Sequence, residues 1–197
     1  MRQALKNPMY RYLMVLTICA TVGLQAWRTL FNNFAVEVGG LDGYHIGVIQ
    51  SVREVPGFMT LLVIYVILVI REHRLSALSI LAMGLGLAVT GYFPSYLGLT
   101  VTTLIMSFGF HYYETTNQSL TLQYFDKGTS PWVFGKLRSV AAGSSIAIGL
   151  GIWILEPHLS YTQLYLLFGG LIMAAAIWGF FQDPTDKSLV PQRKQMI

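Results

Sequence analysis

Long stretches without a charged residue constrain this chain more than any other feature of its sequence. No Asp, Glu, Lys or Arg occurs in residues 12–27, 55–70, 75–113, 139–155 and 157–182. About 20 apolar residues in an α-helix cross a bilayer core of about 30 Å. The run 75–113 is long enough for two crossings, and the sequence FPSY at 93–96 divides it. Only 11% of the residues are charged, which excludes a disordered chain, a collagen, a disulfide scaffold and a soluble enzyme.

These runs predict an all-α membrane protein with six transmembrane helices in residues 1–182. The helices are expected at about 11–36, 45–70, 75–93, 97–124, 136–155 and 161–181. Residues 183–197 are polar, contain two prolines and show no helical periodicity. They are interpreted as a cytoplasmic linker or tail.

The distribution of Lys and Arg predicts the orientation in the membrane. They precede the first helix, lie in alternate connections and follow the last helix: Arg2, Lys6, Arg11, Arg71, Arg74, Lys127, Lys136, Arg138, Lys187, Arg193 and Lys194. The connections 37–44, 94–96 and 156–160 contain no Lys or Arg. Because basic loops stay in the cytoplasm, we expect both termini there, in a bacterial inner (plasma) membrane.

Several other function classes are not supported by motifs. The net charge of +4 suggests nucleic acid, but no Lys and Arg cluster alternates with aromatic residues. The sequence has no His-Glu-x-x-His, Walker or Gly-x-Ser-x-Gly motif, and its four histidines fall on different segments. We therefore expect no enzyme, no catalytic residue, no metal and no cofactor. The single cysteine, Cys19, reads as a small packed residue.

Polar residues inside three predicted helices point to a shared polar region. The first helix has Gln25, Arg28 and Asn32 on one face, the second has Gln50, Arg53 and Glu54, and the fourth has Ser107, His111, Glu114, Thr115 and Gln118. Ionisable groups within a span usually face a bundle interior or a wet cavity. The third and sixth helices have no ionisable group in their interiors. We expect the first, second and fourth helices to line the cavity, and the third and sixth to face lipid.

Each of these residues admits two interpretations. Arg28 either forms a structural ion pair with Glu54 or binds an anionic substrate group. Arg53 either pairs with Glu37 or lines the cavity wall. His111 is either a hydrogen-bonded packing residue or a proton carrier. Glu114 is the better proton carrier, because a carboxyl group removed from water is protonated more readily.

The fifth predicted helix has small residues at helical spacing. Ala141, Ser145 and Gly149 recur at every fourth position. Small residues at this spacing let membrane helices approach closely. The stripe is either simple helix packing or a surface that moves against another bundle during transport.

Three segments and the six-helix topology resemble the amino-terminal half of a major facilitator superfamily transporter. The segments are LDGYHIGVIQS at 41–51, the basic turn REHR at 71–74 and FGKLR at 134–138, before a Gly- and Ser-rich helix. The turn stands where that family has Gly-x-x-x-Asp-Arg-x-Gly-Arg-Arg. Only Arg71 and Arg74 match it, whereas Ile70 and His73 occupy the Asp and second Gly positions. The family's arginine in the fourth helix is absent.

The resemblance implies a secondary transporter, or half of one, that works by alternating access between two six-helix halves. The second half would be a missing carboxyl-terminal half or a partner in a homodimer. Arg71 and Arg74 would form the gating loop. Arg28, Asn32, Arg53 and Gln118 would bind a small polar or anionic solute. The proton-coupling residues would be Glu54, His111 and Glu114.

Two rival functions remain open from the sequence. In a multidrug-type exporter, Glu114 would recognise cationic amphiphiles. In a non-transporting scaffold subunit, Arg28 and Glu54 would only hold helices together. An enzyme embedded in the membrane is a more distant third.

Overall fold

The computed structural model describes residues 2–185, and this part of the chain consists of helices without a strand. In chain order they are α1 (Arg2–Lys6), α2 (Pro8–Glu37), α3 (Gly43–Arg53), α4 (Val55–Phe58), a 3-10 helix (Met59–Leu62), α5 (Val63–Val69), α6 (Glu72–Thr90), α7 (Tyr96–Tyr124), α8 (Ser130–Leu155) and α9 (Tyr161–Phe181). The predicted tail from residue 186 onward, with Lys187, Arg193 and Lys194, lies outside the described residues.

Among residues 2–185, five helical segments are long and apolar enough to cross a membrane. They are Pro8–Glu37, Gly43–Val69, Glu72–Thr90, Ser130–Leu155 and Tyr161–Phe181. Helix α7 has 29 residues, but its polar residues from Ser107 to Gln118 keep it outside this apolar group. The chain is therefore an all-helical protein of the kind that spans membranes.

Capping side chains fix where the long helices begin. The Asn7 side chain accepts a hydrogen bond from the backbone N–H of Met9 at 2.8 Å, just before Pro8 begins α2. The Ser95 hydroxyl accepts from the N–H of Gly98 at 3.1 Å and starts α7. Ser160 and Gln163 form a reciprocal capping box at α9. These caps satisfy backbone donors that the first turn leaves free.

Helix α6 lies in the middle of the bundle, which differs from the expected position facing lipid. It packs mainly against α7 and α9, and 67% of its most apolar stretch is buried. Glycines allow this packing: a Cβ on Gly86 would lie 2.9 Å from the Cα of Met106, and one on Gly169 would lie 2.6 Å from the Cα of Ala88. After its first turn α6 has no ionisable residue, and such an apolar helix suits a protein interior as well as lipid.

The second predicted helix, expected as one element at 45–70, is interrupted. Pro56 has no backbone N–H, so the regular helical hydrogen bond to Val52 cannot form. The N–H of Gly57 instead donates to the carbonyl oxygen of Glu54 at 3.0 Å. The break leaves the backbone carbonyl of Arg53 without its usual helical donor. The Ser107 hydroxyl on α7 donates a hydrogen bond to this carbonyl oxygen at 2.5 Å. The break places Arg53 and Glu54 directly against α7.

The interrupted segment and α8 are the least buried of the five apolar segments. Only 11% of the most apolar stretch is buried in each of them. Large apolar side chains point outward there, including Phe58, which is 86% exposed, and Trp153, which is 75% exposed. Both elements therefore present apolar faces that need lipid or another protein surface to cover them.

Candidate functional site

The main candidate site is a cavity of about 710 Å³ between α2, α7 and α8. Its charged and amide side chains come from all three helices: Gln25, Arg28, Glu114, Asn117, Gln118 and Arg138. Leu24, Phe110, Phe134 and other apolar side chains complete the lining. A mostly apolar cavity with a few polar groups is typical of a small-molecule site.

Two contacts hold the walls of this larger cavity together. The hydroxyl groups of Thr17 on α2 and Tyr113 on α7 share a buried hydrogen bond of 2.9 Å. Tyr10 on α2 stacks on Trp132 on α8 with ring centroids 6.0 Å apart. Small Ala141 and Ser145 lie on the α8 wall and leave room for the cavity.

The turn between α7 and α8 is held by Asp126. Its carboxylate accepts hydrogen bonds from the backbone N–H groups of Gly128 at 2.9 Å and Thr129 at 2.8 Å. The Thr129 hydroxyl also donates to it. These donors, those of Thr129 first, lower the pKa of Asp126 from its ordinary value. The turn sets where α8 begins and thus helps to position one cavity wall.

The charges of the larger cavity are spread along the bundle axis. Arg28 lies about 13 Å from the end of α2, and Arg138 lies about 12 Å from the opposite side of the bundle, where α8 begins. Glu114 lies between these levels, about 15 Å from the end of α7. None of the three forms an ion pair within residues 2–185. All three charges are therefore available to a solute.

A smaller cavity of about 90 Å³ adjoins the first at the break in the second predicted helix. Arg28, Arg53, Glu54 and His111 line it. Leu24, Arg28 and Phe110 line both cavities. Arg28 is consequently the cationic residue that the two cavities share.

Glu54 lies between two nitrogen groups in the smaller cavity. Its carboxylate accepts a hydrogen bond from the neighbouring Arg53 guanidinium, and its Oε2 lies 3.8 Å from Nε2 of His111. The Arg53 guanidinium also lies over the Trp27 ring, 5.2 Å from its centroid. Within the described residues Glu54 pairs with Arg53 and His111, so the alternative pairings of Arg28 with Glu54 and of Arg53 with Glu37 are not seen.

His111 lies against the helix break itself. A Cβ on Gly57 would lie 3.2 Å from Cε1 of the His111 ring. The glycine next to Pro56 thus gives the imidazole room beside Glu54. Any larger residue at position 57 would press on this ring.

Three predicted site residues lie outside both cavities. Asn32 is exposed on α2, about one turn beyond Arg28. Nη1 of Arg71 lies 3.6 Å from Oδ2 of Asp183. The Arg74 guanidinium lies 5.7 Å from the centre of the Phe180 ring. Arg71 and Arg74 thus contact the carboxyl end of α9 and the residues that follow it, and their gating role stays a prediction.

Sequence reasoning missed Arg138 and Asn117. Arg138 was assigned to a basic cytoplasmic connection, but it lines the larger cavity on α8. The available signal was spacing, because Arg138, Ala141 and Ser145 fall on one helical face. Asn117 also lines the cavity, and its side-chain oxygen is buried without a hydrogen-bond partner in the described structure.

Comparison with protein-family models, curated proteins and solved structures finds no match to this chain. Its class therefore follows from the structure alone. Residues 2–185 form an all-helical structure with five helices long and apolar enough to span a membrane, and charged side chains line a cavity between three of its helices.

Proposed function

We propose that the chain is a secondary active transporter, or half of one, for a small polar or anionic solute, with alternating access and proton coupling. The observation that carries this proposal is the larger cavity, lined by Arg28, Glu114 and Arg138. Ionisable groups are costly inside a membrane and mark substrate or proton pathways when they occur. The volume of about 710 Å³ falls within the range of small-molecule sites.

In this proposal the charged groups have distinct roles. Arg28 and Arg138 bind the anionic part of the solute, and Gln118 hydrogen-bonds to it. Glu114 binds and releases the coupling proton. Glu54 and His111, whose side chains are 3.8 Å apart, form a second place where a proton can be held. Asn32 on α2 and Arg53 at the end of α3 help to orient the solute.

The resemblance to a major facilitator half adds a second bundle to the proposal. Such a bundle would cover the apolar faces of the interrupted segment and α8, where Phe58 and Trp153 are exposed. It would be a further six helices or a second copy of this chain. The basic connections would face the cytoplasm, and a bacterial inner membrane would be the location.

Transport assays in proteoliposomes test the proposal. The purified chain is reconstituted, and uptake of a panel of carboxylates and phosphates is measured with and without a pH gradient. We expect Arg28→Gln and Arg138→Gln to reduce uptake by at least tenfold, because each removes a charge-assisted contact of about 1.5–3 kcal/mol. Glu114→Gln should abolish the response to the pH gradient while solute exchange continues.

A matched control is available on α8. Lys136 is exposed, and its ammonium lies 5.8 Å from the centre of the Trp132 ring, outside both cavities. Lys136→Gln removes one positive charge, as the arginine variants do. We expect this control variant to take up solute at the same rate as the parent protein. Unchanged uptake in both Arg28→Gln and Glu114→Gln would refute the site assignment.

The oligomeric state is a further test. We expect no flux from a strictly monomeric sample, because one bundle leaves the solute cavity without a second wall. Flux from such a sample would refute the need for a second half.

The charge balance separates this proposal from its rivals. The larger cavity has two guanidinium groups and one carboxylate, which favours an anion over a cationic amphiphile. Uptake of cations that depends on Glu114 would instead support an exporter. A complete lack of solute-linked proton movement in sealed liposomes would support a scaffold.

A further inference from the structure

The smaller cavity has more positive than negative charge among its described lining residues. Arg28 and Arg53 line it, and Glu54 is the only carboxylate among its described lining residues. The excess of positive charge remains when the charged residues of the larger cavity are included, because Arg138 offsets Glu114 there. Because Glu54 pairs with Arg53, the Arg28 guanidinium has no carboxylate partner among the described residues and is available to a counterion.

Hydrogen-bond donors near this cavity also lack acceptors. Within the described residues, Nε of Arg53 is buried and has no hydrogen-bond partner. The same holds for Nε1 of Trp27, the ring that the Arg53 guanidinium covers. Buried N–H groups nearly always have an acceptor, and an exception points to a water or an ion. Two such donors beside excess positive charge favour an anion.

The volume limits what the anion can be. The cavity measures about 90 Å³, against about 710 Å³ for the larger cavity. A space of this size admits a halide-sized ion with water. It does not hold an organic solute of the size that the larger cavity accommodates.

We propose that Arg28 and Arg53 bind a small inorganic monovalent anion of the size of chloride in the smaller cavity, beside Glu54 and the break at Pro56. Arg53 contributes its free Nε–H, and Arg28 contributes its unpaired guanidinium. Ser107 is not a ligand, because its hydroxyl donates to the backbone carbonyl of Arg53. This inference does not depend on which solute the larger cavity takes.

Fluorescence quenching by iodide tests this site directly. Iodide quenches indole fluorescence on contact, and Trp27 lies beside Arg53. Trp132, Trp153 and Trp178 are replaced by Phe so that Trp27 alone emits. Iodide is titrated against gluconate at constant ionic strength. We expect saturable quenching that chloride reverses in competition.

Two variants localise the binding. Arg53→Gln should abolish the saturable phase and leave only the weak linear quenching of a buried ring. Lys136→Gln removes one positive charge outside the cavity and should leave the phase unchanged. Linear quenching in the parent protein, or a saturable phase that survives Arg53→Gln, would overturn the proposal.

A second measurement needs no substitution. Chloride that binds only the folded chain raises the unfolding midpoint of the unmodified protein relative to gluconate at equal ionic strength. Equal midpoints up to molar chloride would overturn the proposal even if the tryptophan variant fails to fold. The chloride result is independent of the transport assay. Solute uptake can fail while chloride still binds, and chloride binding can fail while solute uptake continues.

Discussion

Replacing Gly109 with Ala tests whether α6 and α7 are in backbone contact at the centre of the bundle. A Cβ at position 109 would lie 2.8 Å from the Cα of Met83. Real Cβ atoms essentially never approach another heavy atom within 3.0 Å. The opposing atom belongs to a helix backbone and cannot rotate away as a flexible side chain can. The two helices must therefore separate.

The expected magnitude follows from two opposing effects. Overpacking a tight site costs about 1–3 kcal/mol, and the rigid backbone contact puts Gly109→Ala near about 3 kcal/mol. Alanine favours a helix over glycine by about 1 kcal/mol, so the net loss of unfolding free energy is about 2 kcal/mol. Gly143 on α8 has nothing within 4 Å of the same Cβ position. Gly143→Ala should therefore gain up to about 1 kcal/mol.

The assay is equilibrium unfolding of both variants in mixed micelles, followed by circular dichroism, with thermal midpoints as a second readout. The two variants should differ by about 3 kcal/mol, or about 6–12 °C in midpoint for a chain of this size. If Gly109→Ala is as stable as Gly143→Ala, the close packing of α6 against α7 is wrong.

Two further predictions concern hydrogen bonds that shape the cavities. Ser107→Ala leaves the Arg53 carbonyl without its donor and should cost about 1–2 kcal/mol of unfolding free energy. As a control, Ser139→Ala at an exposed position should change the unfolding free energy by no more than about 0.5 kcal/mol. Equal losses in the two variants would contradict this role of Ser107. The lowered pKa of Asp126 means that its stabilisation is present above its unfolded-state pKa and is lost as the pH falls through the folded value. Asp126→Asn should therefore show a smaller decrease in thermal midpoint below about pH 5 than the parent, and parallel pH profiles would refute the role of this turn.

The class of the fold could be predicted from the sequence because hydrophobic length is a local property. A charge-free run such as 157–182 contains its own information on whether a helix can cross a bilayer. Helix α9, Tyr161–Phe181, lies inside that run. The polar stripe on α7 was visible for the same reason, since Ser107, His111 and Glu114 repeat at helical spacing.

The position of α6 could not be predicted from the same information. From Leu75 onward its residues are apolar or small on every side, so no periodicity distinguishes a lipid face from a protein face. What places it inside is the match of Gly86 and Ala88 to particular partners on α7 and α9. Such matches depend on tertiary contacts that one sequence does not specify.

The candidate site was partly predictable, and the missing part has a physical reason. Arg28 and Glu114 stand out because they interrupt apolar helices. Arg138 lies near the start of α8 within a group of basic residues, where the positive-inside rule already accounts for a charge. The sequence around Arg138 therefore gives no reason to assign it a second role. Its register with Ser145 becomes informative only once α2, α7 and α8 are known to enclose a cavity.

If both proposals hold, the balance of charge over the two cavities links anion binding to proton coupling. Arg28, Arg53 and Arg138 face only Glu54 and Glu114 in the two linings, so one bound monovalent anion makes the site neutral. A halide in the smaller cavity and an anionic solute in the larger one would together leave one negative charge uncompensated at membrane depth. That excess is costly in a low dielectric. It is removed when His111 or Glu114 takes up one proton. A chain that holds both anions should therefore bind a proton with the solute, which is the coupling that the transport proposal requires.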